Sequence, residues 1–160
     1  MACNRRARIA LTVVALVAMT SVAFAHGGER HPTSTLPKID VAVAFDRVTA
    51  KGDAVTGSLT LTVPEGWHLY AKGAPEEFVA ASITSTDGVV DHWHAAWPKA
   101  GVVEFEGIKM PVYEGRVIVP LEGRLTVDPP ATWHGVVTFQ ACGAELCLPP
   151  ETREVTAGLE

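Results

Sequence analysis

Positive charge is scarce in this sequence beyond its first eight residues. Arg5, Arg6 and Arg8 supply three of the 13 Lys and Arg, while all 18 Asp and Glu follow residue 25. Residues 26–160 therefore carry a net charge near −8, which argues against nucleic acid or an anionic membrane surface as a partner. Long apolar runs are also missing after residue 25, so nothing there is a candidate spanning helix. No window of a dozen residues shows a clean 3.6-residue apolar period between caps, and there is no internal repeat. Cysteine is nearly absent too: Cys3, Cys142 and Cys147 are the only three.

What is present first is a targeting segment. Residues 1–25 combine the arginine-bearing start with an apolar stretch over 9–24, and close on Ala23-Phe24-Ala25, which places small residues where signal peptidase reads them. The expectation is a cleaved signal peptide, a mature chain starting at His26, and a periplasmic location without membrane insertion. The residues after Arg5-Arg6 add little to a twin-arginine pattern, so ordinary secretion is expected. Cys3 precedes the apolar stretch and leaves with the signal. Residues 26–37, rich in Gly, Pro, Ser and Thr, read as a flexible leader, and residues 38–160 as one domain.

Within that domain the apolar period is two. Ile39, Val41, Val43 and Phe45 alternate with Asp40, Ala42, Ala44 and Asp46; Val55, Leu59, Leu61 and Val63 repeat the pattern before the turn Pro64-Glu65-Gly66. Further strands are expected over 67–70, 78–84, 89–93, 116–121, 136–141 and 153–157. Many short strands, interrupted by proline or glycine about every ten residues, predict an all-β, immunoglobulin-like antiparallel sandwich.

The sharpest chemical feature is Phe139-Gln140-Ala141-Cys142-Gly143-Ala144-Glu145-Leu146-Cys147-Leu148-Pro149-Pro150. A strand ends at Ala141, four residues connect, and Cys142 and Cys147 then oppose each other across a hairpin. Opposed residues in a non-hydrogen-bonded antiparallel pair have Cα atoms about 4.5 Å apart, near the lower end of the disulfide range. In an oxidising compartment such a pair is either a staple or a redox couple. As a staple it contributes little, since closing so short a loop removes only about 2 kcal/mol of unfolded-chain entropy.

The flanking residues decide between these. Phe139-Gln140-Ala141-Cys142 and Cys147-Leu148-Pro149-Pro150 resemble the Tyr-Gln-x-Cys…Cys-x-Pro-Pro run of the N-terminal periplasmic domain of the thiol:disulfide interchange protein DsbD. Gly66-Trp67-His68-Leu69-Tyr70 is similar to that family's aromatic strand. Phe105-Glu106-Gly107, followed by Val112-Tyr113-Glu114-Gly115-Arg116-Val117, is similar to its cap loop and next strand. The resemblance implies an immunoglobulin-like domain that takes electrons from a thioredoxin-fold partner or a membrane donor of the DsbD type. By the same resemblance it would pass them to oxidised periplasmic proteins, as a protein-disulfide reductase component without a cofactor. It also implies that Cys147 attacks the substrate disulfide, that Cys142 resolves the intermediate, and that Phe105 caps the pair. Trp67, His68 and Tyr70 would line the floor, with Gln140 close by; Trp67 and Tyr70 alternatively pack the core, His68 either assists proton transfer or covers the sheet edge, and Glu145 either disfavours a neighbouring thiolate or is a solvated turn residue. The sequence departs from the family in its cysteine spacing, one residue shorter than in the best-known member, and in Glu106, which replaces a second cap aromatic. It carries neither the membrane domain nor the C-terminal thioredoxin domain of the full-length family form, so a separate electron source is expected.

A second reading treats the cysteines as a clip and the histidines as copper ligands. An N-terminal His26 would offer its amine and ring nitrogen to one ion, and His31, His92, His94 or His134 a further imidazole. On a strand, His92 and His94 would point to one face.

Overall fold

The computed structural model describes residues 36–160 apart from Glu106. The expected signal peptide, most of the leader, His26 and His31 lie outside the described residues.

The alternating segments form strands because each places every second side chain on a shared apolar face. In β2 (Ala54–Thr62), Val55, Leu59 and Leu61 are buried between exposed or half-buried neighbours. β8 (Arg116–Leu125) answers with Val117, Val119, Leu121 and Leu125, and the register sets Leu59 opposite Val119 and Leu61 opposite Val117. With β1 (Asp40–Phe45) and β5 (Val90–Ala95) these strands make a sheet of order β1-β2-β8-β5. A second sheet, β11-β9-β4, consists of Glu151–Leu159, Ala131–Phe139 and Ser82–Ser85. Its Ile83, Trp133, Val137, Phe139 and Leu159 join the first sheet's apolar face in one core. Trp133 anchors that core: fully buried, it donates its indole N–H to Ser85 Oγ at 2.9 Å and stacks on Trp93, ring centroids 4.9 Å apart.

The third sheet carries the chemistry. Its order is β10-β3-β7-β6, from Ala141–Cys142, His68–Tyr70, Ile108–Tyr113 and Gly101–Phe105. All strand pairings are antiparallel and every regular element among the described residues is a strand, so the molecule is the expected immunoglobulin-like β-sandwich.

Three expectations change in detail. The strand expected over 78–84 begins only at Ser82; residues 71–81 instead loop out from β3 through a turn closed by Phe78 N–H on the Pro75 carbonyl, and return with Ala81 N–H bonded to the Tyr70 carbonyl at 2.7 Å. The region around Phe105 is a paired β6–β7 hairpin rather than a loop, with Phe105 as the last residue of β6, opposite Ile108. Finally, β5 contains a bulge: pairing steps from Asp91–Arg124 to His94–Glu122, and His92 takes φ 48°. The extra residue breaks the two-residue alternation that would align the His92 and His94 rings. Both are exposed, and His92 lies 3.9 Å from the Asp91 carboxylate.

Candidate active site

Strand β9 stops at Phe139 because Gln140 leaves the ladder to serve two other segments. Its side-chain oxygen accepts the Val79 N–H and its amide donates to the Leu148 carbonyl, both at 3.0 Å. The chain then pairs with β3, setting Ala141 opposite Leu69 and Cys142 opposite His68. Gly143 N–H bonds the Leu146 carbonyl and Leu148 N–H bonds the Ala141 carbonyl, both at 2.9 Å, which closes the predicted hairpin. Cys142 and Cys147 face each other as a non-hydrogen-bonded pair with Cα atoms 4.0 Å apart and their sulfurs bonded.

Alternation along the third sheet sorts its side chains onto two faces. Ala141, Leu69 and Tyr113 enter the main core, whereas Cys142, Tyr70, Val112 and Met110 form a second apolar cluster with Ala74, Phe78 and Val103. The register continues this second face through Val103 opposite Met110 to Phe105 opposite Ile108. At that far end the face opens to solvent, with Phe105 58% and Ile108 55% exposed.

The disulfide is asymmetric. Cys142 is 1% exposed at the bottom of this face, and Cys147 is exposed. The Tyr70 hydroxyl lies 3.8 Å from Cys147 Sγ. A disulfide sulfur has no hydrogen to give, so the hydroxyl is the donor. Burial first, and the Glu77 carboxylate second, push the Tyr70 pKa above the ordinary phenol value, which keeps that hydrogen in place. Phe78 lies against the same ring, centroids 4.3 Å apart.

Of the residues singled out in the sequence, His68, Tyr70, Gln140, Cys142 and Cys147 come together. The His68 ring meets Tyr70 edge-on at 5.4 Å, and its Nε2 is buried with no hydrogen-bond partner among the described residues. Burial lowers its pKa below the ordinary imidazole value, with Glu114 opposing the shift. Trp67 packs partly against the main core; a Cβ on Gly143 would meet its ring at 3.5 Å, so the indole lies beneath the hairpin. Glu145 is exposed at the hairpin tip, and Phe105 presents most of its ring to solvent. Phe78, Met110 and Glu77 were not singled out, although Met110 and Val112 alternate with Val103 and Phe105 once Pro111 is allowed within a strand. Among the described residues no group of three or more His, Cys, Asp or Glu is close enough to hold a metal ion.

Similarity to a solved structure supports the fold. The N-terminal periplasmic domain of ScsB from Proteus mirabilis superposes with a TM-score of 0.56 at 22% identity, covering 80% of this chain and 47% of that one. This chain thus spans about half the length of that relative. The DsbD N-terminal domain of Neisseria meningitidis in its reduced form gives a TM-score of 0.42 at 15% identity, covering 78% of this chain and 89% of that one. The complex of the DsbD and PilB N-terminal domains from the same organism gives 0.47 at 14% identity, with 80% and 87% covered. No curated protein matches the sequence significantly. The sequence profile described as "Thiol:disulfide interchange protein DsbD, N-terminal" matches residues 36–159, which takes in every strand among the described residues and both cysteines of the hairpin. The chain belongs to the DsbD N-terminal domain family.

Proposed function

We propose that this protein performs thiol-disulfide exchange in the periplasm, shuttling between the Cys142–Cys147 disulfide and the dithiol. The observation that carries the reading is the unequal burial of the two sulfurs' residues: Cys147 is exposed and Cys142 is enclosed. Exchange needs an in-line approach of a thiolate to one sulfur, and exposure favours Cys147 as that sulfur.

In the reducing half-cycle the thiolate of a thioredoxin-fold partner, or of a DsbD-type membrane donor, attacks Cys147 Sγ. The Cys142–Cys147 bond breaks and its electron pair leaves on Cys142. The partner's second thiol then displaces Cys147, giving a dithiol here and a disulfide there. In the delivering half-cycle the Cys147 thiolate attacks an oxidised periplasmic protein, and Cys142 resolves the mixed disulfide. Two electrons pass in each direction. The Tyr70 hydroxyl, donating to Cys147 Sγ, stabilises the thiolate whenever that sulfur is free. Phe105, expected as the cap, stands with Ile108 at the solvent-exposed end of the face that leads to the pair, where both offer apolar surface. Trp67 supports the hairpin from below.

The roles are tested by trapping. The Cys142→Ser variant, reduced and mixed with oxidised glutathione, accumulates a stable adduct of one glutathione on Cys147 in intact-mass spectra. Cys147→Ser accumulates far less, because its remaining thiol is enclosed. Equal or preferential trapping by Cys147→Ser reverses the assignment.

A further inference from the structure

Strand β3 places His68 directly across the ladder from Cys142, the cysteine that the mechanism leaves without a proton acceptor. Directly opposed side chains on one face have Cβ atoms about 4.5–5.5 Å apart, so imidazole and thiol are neighbours. Its Nε2 is enclosed without a hydrogen-bond partner among the described residues while the cysteines are joined. A buried polar atom left unpaired is unfavourable. The disulfide form offers it no hydrogen; the dithiol form presents a thiol proton on the adjacent strand. The orphaned nitrogen and the redox state therefore belong together.

We infer that His68 is the proton carrier for Cys142, an inference that rests on the exchange reading above. During resolution the Cys142 thiol gives its proton to the neutral imidazole, and the resulting thiolate attacks Cys147 Sγ. The bond between Cys147 and the substrate sulfur breaks, and the substrate leaves as thiolate with the electron pair. The imidazolium then releases its proton to water or to that leaving thiolate. In the reducing half-cycle Cys142 leaves as thiolate, and the imidazole, reprotonated from water or from the partner's attacking thiol, hands that proton to it. Enclosure would otherwise hold the Cys142 thiol in its neutral, unreactive form, so the resolving cysteine needs such an acceptor more than exposed Cys147 does.

The charged and titratable groups around the ring fit this role. Glu114, just beyond the end of β7, favours the imidazolium and opposes the burial that disfavours it. Tyr70 lies edge-on to the ring two residues along β3, with Glu77 acting on Tyr70 in turn. Cys142 stands opposite His68 in the register, on β10. At neutral pH burial keeps the imidazole free to accept, and below its depressed pKa it is already protonated and cannot.

The reduced protein mixed with an aromatic disulfide whose thiolate is coloured separates the steps. Attack by Cys147 releases one coloured thiolate, and resolution by Cys142 releases the second. His68→Gln and His68→Tyr slow the second phase at neutral pH by roughly a hundredfold, the lower end for general acid–base assistance, and leave the first close to wild type. In wild type the second phase declines as pH falls through the imidazole's titration; the variants lose that inflection. Unchanged second-phase rates and pH profiles in both variants overturn the inference. Should neither variant fold, the His68 ring shifts of the wild type followed by NMR through a pH titration decide: a pKa that differs between disulfide and dithiol forms supports the coupling, and one that is identical overturns it. Failure of the wild type to release either thiolate is a separate result that defeats the exchange reading itself.

Discussion

Gln140 accepts from Val79 N–H and donates to the Leu148 carbonyl, so one amide ties the 71–81 loop to the residue that follows Cys147. The Gln140 side chain is buried, 9% exposed. Replacement by alanine leaves two backbone groups short of a partner, each worth about 1–3 kcal/mol if it stays unsatisfied. Gln140→Ala is therefore expected to lose about 2–6 kcal/mol in urea denaturation if both groups stay unsatisfied, and to expose the hairpin to faster thiol alkylation after reduction. An unchanged midpoint would show that water replaces both bonds at no net loss. The spacing of Cys142 and Cys147, and the resemblance of their flanks to the Tyr-Gln-x-Cys…Cys-x-Pro-Pro run, made Gln140 and the two cysteines legible in the sequence. The contacts of Gln140 were not legible, because Val79 is 61 positions away and only the fold brings it close. Phe105 was legible as an unusual apolar ring between two glutamates, but its place at a strand end depends on Ile108 opposite.

At the scale of elements, period-two alternation carried most of the strands, and its failures have physical causes. β6 and β7 were hidden by Gly101, Gly107 and Pro111, each of which weakens a strand pattern. Pro111 is accommodated because only its carbonyl is required there, accepting the Ala71 N–H at 2.9 Å. The bulge in β5 was invisible because Asp91, His92 and Trp93 read as ordinary alternation while His92 takes a left-handed backbone. β9 shows a different constraint. A Cβ on Gly135 would stand 2.1 Å from the Trp133 ring and 2.8 Å from the Thr84 carbonyl, so the indole lies across the glycine. Gly135→Ala must displace either the β4 backbone or the largest fully buried side chain. It is expected to cost about 1–3 kcal/mol, the usual penalty of overpacking, read as a lower midpoint of thermal or urea unfolding. A wild-type midpoint would mean that the indole moves aside freely.

Across the whole molecule, two apolar clusters share the third sheet. The larger, built around Trp133 and the facing leucines and valines, holds the sandwich together without using either cysteine. The smaller wraps Cys142 with Tyr70, Met110 and Val112. Because the disulfide closes so short a loop, it adds only about 2 kcal/mol to a fold that the larger cluster already supports, so the dithiol form keeps the same architecture. This division suits a domain that must survive both redox states. The sandwich class was legible from alternation and turn spacing alone. The second cluster was not, since it joins residues from β3, β6, β7, β10 and the 71–81 loop that share no local pattern. The central claim is that Cys142 and Cys147 form a working redox couple. The most direct test is the reduction potential of the pair, obtained by equilibrating the purified domain against glutathione or dithiothreitol buffers and counting free thiols by mass. The account predicts a value of about −200 to −270 mV, between the oxidising periplasmic catalysts and thioredoxin. A potential below about −300 mV would contradict it and make the bond a structural clip.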